Sequence, residues 1–216
     1  MKKILLIGDS IRQGYDKYVK AALKDSFEVV YPSENCMFAQ YIYRSLHNWK
    51  EALNLGDEVE LIHWNAGLWD TLELIGEEGS DGELTPPEIY AFYIERICKR
   101  IKFLFPKARV IFATSTPVQE ELFNKTVAIR RNETTRKYNE IAVKIAKSYG
   151  FFIDDLYSVV ETAPKTYYSD LTHLYTPEGT CLLTNAVIKS ICGVTGTDFT
   201  EFSIANFEEV KEILGI

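Results

Sequence analysis

Apolar residues in this chain follow two alternating rhythms. Short, nearly unbroken apolar runs occur from Lys3 to Ile7, Phe27 to Tyr31, Val59 to Trp64, Arg109 to Ala113 and Phe151 to Ile153. Between them lie longer stretches with an apolar residue every three or four positions: Tyr15 to Leu23, Phe38 to Trp49, Glu88 to Phe105, Arg131 to Tyr149, Thr176 to about Ile191, and Phe207 to Leu214. The short runs read as strands buried on both faces, and the longer ones as amphipathic helices. Phe38, Tyr41, Ile42, Leu46 and Trp49, for example, form one helical stripe. Thr176-Pro177 reads as an N-cap followed by proline in the first helical turn, and Gly150 as the residue that ends the helix before it. Strand and helix in strict alternation predict right-handed crossovers and a parallel sheet with helices on both faces.

One connection breaks the pattern. Leu72 to Pro87, between the third strand and the long helix, holds Gly76, Gly79, Gly82, two prolines and many acids. It is too long for a plain strand-to-helix loop. Two readings stand side by side, a flap beside a site and a surface insertion without function.

The 216 residues suit one domain spanning 1–216, and 46% apolar content supplies a sizeable core. The net charge of −7 argues against nucleic acid or an anionic membrane as partner. Arg130-Arg131 and Arg136-Lys137 read as solvated helix faces. Cys36, Cys98, Cys181 and Cys192 form no Cys-x-x-Cys pair, so no metal site is expected, and the last three read as buried thiols. The start of the chain lacks the long apolar stretch and cleavage site of a signal peptide, and no transmembrane run is present, so the expected compartment is the cytoplasm. Asn124-Lys125-Thr126 and Asn132-Glu133-Thr134 match the glycosylation pattern, which has no consequence there.

The candidate chemistry lies at two points far apart in sequence. Gly8-Asp9-Ser10 directly follows the first strand, where parallel α/β sheets bind their ligands. Serine needs a base to become a nucleophile, and histidine suits that task. Only His47, His63 and His173 are available. His47 sits in a helical stretch, and His63 lies inside the third strand, where a satisfied core histidine is the natural reading. His173 sits in a loop, three residues after Asp170, in Asp170-Leu171-Thr172-His173. There Asp170 can fix the imidazole through Nδ1 and leave Nε2 for Ser10.

These two blocks resemble those of the SGNH hydrolases, also called GDSL-type esterases and lipases. The resemblance implies a three-layer αβα sandwich with a flavodoxin-like five-stranded parallel sheet. It also implies a Ser10–His173–Asp170 triad, hydrolysis of a small ester and no cofactor. Short acyl groups, such as acetyl on a carbohydrate or a small alcohol, are the family's tendency. The oxyanion donors in the family are the serine amide, a glycine amide after strand two and an asparagine in Gly-x-Asn-Asp after strand three. Here the last block reads Asn65-Ala66-Gly67-Leu68-Trp69-Asp70, with Trp69 where the asparagine belongs. Asn65, on the same face as Gly67 if the strand continues, is the expected side-chain donor. After strand two the chain reads Asn35-Cys36-Met37 with no glycine. An amide at Cys36 or Met37, in a turn shaped by Asn35, is the expected second donor. Asp9 reads as the tie of its turn, Arg12 as a surface residue, and Asp154-Asp155 as loop caps. Trp64, Trp69, Tyr167 and Tyr168 suit either sugar stacking or the core. The competing reading is a binding protein, either a catalytically inactive esterase-like chain or a flavodoxin-like phosphate binder.

Overall fold

The structure, a computed structural model, describes residues 1–74, 82–123 and 128–215. Five parallel strands form the central sheet: β1 (Lys3–Ile7), β2 (Glu28–Val30), β3 (Val59–Trp64), β5 (Arg109–Ala113) and β7 (Phe152–Asp154), in the order β2-β1-β3-β5-β7. Alternate side chains of each strand point to opposite faces. Ile4, Leu6 and Leu61 therefore enter one core, under α1 (Ser10–Ala22), α5 (Leu156–Glu161), α6 (Pro177–Thr195) and α7 (Ile204–Leu214). Leu5, Ile7, Ile62 and Trp64 enter the other, under α2 (Ala39–Ala52), α3 (Pro87–Leu104) and α4 (Asn132–Ser148). This is the three-layer αβα sandwich with the flavodoxin-like strand order. Burial on both faces is why the strands are apolar throughout instead of alternating.

Local signals in the sequence set several boundaries. The Thr176 hydroxyl accepts from the Gly179 amide at 3.2 Å and opens α6 with Pro177 in its first turn. Gly150, just past α4, takes the left-handed φ of 75°. The α6 helix runs past Ile191 to Thr195 and stops at Gly196. The four cysteines are free and buried. Among the described residues no helix is long and apolar enough to cross a membrane.

A small antiparallel pair, β4 (Glu73–Leu74) with β6 (Ala128–Ile129), was not visible in the apolar pattern. Two residues per strand carry no periodicity to read. It joins the β3–α3 connection to the β5–α4 connection. The flanks of that first connection are held by Leu84 N to Leu72 O at 2.7 Å and Thr85 N to Asp70 O at 3.1 Å. The middle of the Leu72 to Pro87 segment, residues 75–81, and the pattern at Asn124 lie outside the described residues.

Candidate active site

The first turn of α1 builds one half of the site. Asp9 is the N-cap, its Oδ1 accepting from the Ile11 amide at 3.0 Å, so Ser10 becomes the first helical residue. Asp9 is fully buried. Burial pushes its carboxyl up, while the Ile11 amide, the Asn65 side chain and the charges of Arg130 and Arg12 pull it back without cancelling the rise. Gly8 is needed for space and not for an unusual φ: a Cβ there would lie 2.0 Å from Asn65 Oδ1 and 2.8 Å from Arg12 Cβ.

The other half comes from the loop before α6. His173 Nε2 lies 2.7 Å from Ser10 Oγ, and Nδ1 lies 2.8 Å from Asp170 Oδ2. Asp170 Oδ1 also accepts from the amides of Thr172 and His173, each at 2.8 Å. Partial burial pushes the Asp170 carboxyl up, but these amides and the imidazole more than offset it and hold it below its ordinary value. The loop is fixed from outside by Gln119, whose side chain donates to Asp170 O and whose amide donates to Leu171 O, both at 2.9 Å. Residues 163 positions apart thus form a continuous chain of carboxylate, imidazole and hydroxyl.

The expected oxyanion groups are placed unevenly. Asn65 ends the β3 run, is buried, and lies against Gly8 and Asp9. Gly67 adopts a φ of 149°, and a Cβ there would come within 2.5 Å of Ser115 Oγ. Asn35 does shape its turn, with Oδ1 accepting from the Met37 amide at 2.8 Å. The Cys36 amide, however, donates to Gly8 O at 3.1 Å. Both amides after β2 that were expected to face the oxyanion therefore have protein partners. The Cys36 thiol is buried and pushed up to about 11 by that burial, so it stays protonated at neutral pH.

Other expectations shift. Arg12 is buried, not a surface residue. It pairs with Asp16 and donates to Glu34 O at 2.6 Å and to Gly8 O at 3.3 Å, locking α1 to the loop after β2. Asp155 caps α5, as a loop carboxylate was expected to, but Asp154 pairs with His63 Nε2 at 2.9 Å inside the fold. Trp64 is core, packed against Phe112. Asp70 accepts from the Ala39 amide and holds the start of α2. Burial pushes its carboxyl up to about 7, although Thr85 and the Ala39 amide oppose the rise.

One residue near the site was misread and another escaped sequence reading. Arg130 is not on a solvated helix face: it precedes α4, is partly buried, donates to Leu68 O and directs its charge toward Asp9. Tyr175 stacks on the His173 ring and donates its phenol to Ser10 O at 2.6 Å. Burial pushes that phenol up to about 12, so it remains a donor at neutral pH. The available signals were the position of Tyr175 two residues after His173 and a glycine inside α1.

No family profile matches the chain. Over 86 residues it is 31% identical to a GDSL esterase/lipase, WDL1, of Oryza sativa subsp. japonica, an alignment covering 37% of this chain and 33% of that protein. The chain thus spans about a third of the length of the curated relative it matches. Among solved structures, the acetyl xylan esterase AlAXEase superposes with a TM-score of 0.66 at 16% identity, covering 88% of this chain and 99% of that one. A lipase/acylhydrolase of Enterococcus faecalis gives 0.65 at 19% identity, covering 90% and 97%. Axe2, an acetylxylan esterase of Geobacillus stearothermophilus, gives 0.64 at 15% identity, covering 88% and 94%. The chain shares the fold of these esterases and of the acylhydrolase, and over 86 residues its sequence is similar to a GDSL esterase/lipase.

Proposed function

We propose that this protein is a serine esterase that removes short acyl groups, acetyl foremost, from a carbohydrate or a small alcohol. The observation that carries the reading is the Ser10 hydroxyl 2.7 Å from His173 Nε2, with the opposite ring nitrogen on Asp170. Ser10 Oγ attacks the ester carbonyl as His173 takes its proton. Asp170 holds the imidazole in the required tautomer and stabilises the imidazolium. His173 then protonates the leaving alkoxide, leaving an acyl-serine. It next takes a proton from water, whose oxygen attacks the acyl carbon. When Ser10 leaves, the proton returns to it. The acetyl preference rests on the family tendency and on the acetylxylan esterases among the structural relatives.

Charge on the carbonyl oxygen rests on two groups in this reading. The Ser10 amide lies at the positive end of α1. Asn65 carries two N–H donors, lies buried against Gly8 and Asp9 at the head of α1, and in this reading turns one donor to the oxyanion. Cys36 supports the turn through Gly8 instead of donating to the substrate.

The test is hydrolysis of p-nitrophenyl acetate and of acetylated oligosaccharides. Ser10→Ala is expected to lower kcat by about 10⁴-fold or more; equal rates from both proteins would leave an esterase-like binding protein as the better reading. Asn65→Ala is expected to lower kcat by roughly a hundredfold, with a near-neutral result removing it from the oxyanion site.

A further inference from the structure

We infer that Tyr175 is a positioning residue for His173, and that the glycine inside α1, Gly14, is there to admit it. The inference rests on the reading of Ser10 and His173 as nucleophile and base.

One side chain touches three parts of the site. The Tyr175 ring lies on the His173 imidazole, with centroids 4.6 Å apart and planes 26° apart. Its phenol donates to the Ser10 carbonyl at 2.6 Å. Its edge fills the space above Gly14, where a Cβ would come within 2.6 Å of Cε1 and 2.9 Å of Cδ1. Tyr175 is 42% exposed, so core packing does not explain a large aromatic there. Nor does helix preference explain Gly14, because glycine is poorer than alanine in a helix interior. Its φ is not left-handed, so backbone strain does not call for it either. The two unexplained residues account for each other.

The mechanical effect follows from what holds the imidazole. Asp170 anchors one ring nitrogen, and its own side chain is 52% exposed in a loop. The other nitrogen meets only the Ser10 hydroxyl, which is lost on acylation, so Asp170 is the one polar anchor that persists and leaves the ring free to swing about its side-chain bonds. A flat partner on one face removes that freedom, and the phenol ties the partner to the backbone of the nucleophile itself. The same imidazole serves acylation and deacylation, so its orientation bears on both steps. Substrate affinity does not depend on it.

The experiment compares Tyr175→Leu, Tyr175→Phe and Gly14→Ala, using p-nitrophenyl acetate turnover and the rate of labelling by a fluorophosphonate. Tyr175→Leu is expected to lower kcat and labelling by about tenfold or more while KM stays within about twofold. Tyr175→Phe keeps the stack and is expected to retain about half the activity or more. Gly14→Ala displaces the ring without touching Ser10 or His173, and is expected to reproduce the Leu loss at an unreduced Tm. The double variant Gly14→Ala/Tyr175→Leu is expected to be no worse than either alone. Wild-type kcat in folded Tyr175→Leu and Gly14→Ala proteins would overturn the inference. So would a rise in KM at unchanged kcat, or a Phe variant as impaired as the Leu variant. Ser10→Ala separates the two levels: if it still turns over ester, the esterase reading has failed first, whereas a dead Ser10→Ala beside active Tyr175 variants defeats only the positioning role.

Discussion

His173 meets Asp170 at 2.8 Å in a loop beside the first turn of α1, and His63 meets Asp154 at 2.9 Å in the sheet interior. The two contacts are nearly identical in length and in the groups involved. What differs is the other ring nitrogen. In His173 it lies 2.7 Å from the Ser10 hydroxyl. In His63 it is Nδ1, buried with no hydrogen-bond partner among the described residues, beside the Tyr15 ring. A histidine–carboxylate pair is therefore not by itself a catalytic base. On the proposed reading it becomes one only where a nucleophile stands at the free nitrogen, as Ser10 does beside His173. The buried pair fastens β3 to β7 across the intervening β5.

Breaking the comparison at the outer pair gives the largest effect. Asp170→Asn is expected to lower kcat for p-nitrophenyl acetate by about 10³-fold with little change in Tm, since an amide favours the wrong tautomer. Loss of only twofold would mean that the local amides orient His173 without the carboxylate. At the inner pair the expectation is reversed. His63→Gln leaves Asp154 buried without its imidazole and is expected to cost roughly 3 kcal/mol of stability. For a chain of this size that is a Tm fall of about 6–12 °C, with kcat within a few-fold of wild type. A large loss of kcat at unchanged Tm would show that the buried pair takes part in the chemistry.

A third carboxylate sharpens the contrast through pH. Asp70 has no imidazole, and its folded-state value of about 7 stands above its ordinary 3.8. Between those values the folded chain holds a proton that the unfolded chain has released. Asp70 therefore favours folding at the acid end and loses that contribution as pH rises to about 7. Asp70→Asn is expected to flatten that part of the stability–pH curve, as read by urea unfolding at several pH values. An unchanged slope would remove Asp70 as its source.

Much of the outer site was legible because it is local. Asp170 and His173 are three residues apart, and Gly8-Asp9-Ser10 directly follows a strand. Thr176-Pro177 and Gly150 marked helix ends through their own backbone preferences. The misreadings concern contacts between distant segments. Arg12 looked like a surface charge because nothing nearby in sequence shows that the loop after β2 will cover it. Cys36 looked like an oxyanion donor because sequence does not show that its amide meets Gly8. Asp154 looked like a loop cap because its partner lies 91 residues away.

The sequence by itself determined the strand and helix alternation, the parallel sheet, and the two blocks that carry Ser10 and the Asp170–His173 pair. Apolar rhythm and short-range capping act within a few residues, and the chain states them directly. Only the tertiary structure decided that Arg12 is covered, that the amides after β2 have protein partners and what Gly14 is for. Those outcomes depend on strand order and on helices packing across the sheet, so they arise only once remote parts of the chain compete for the same few ångströms of space.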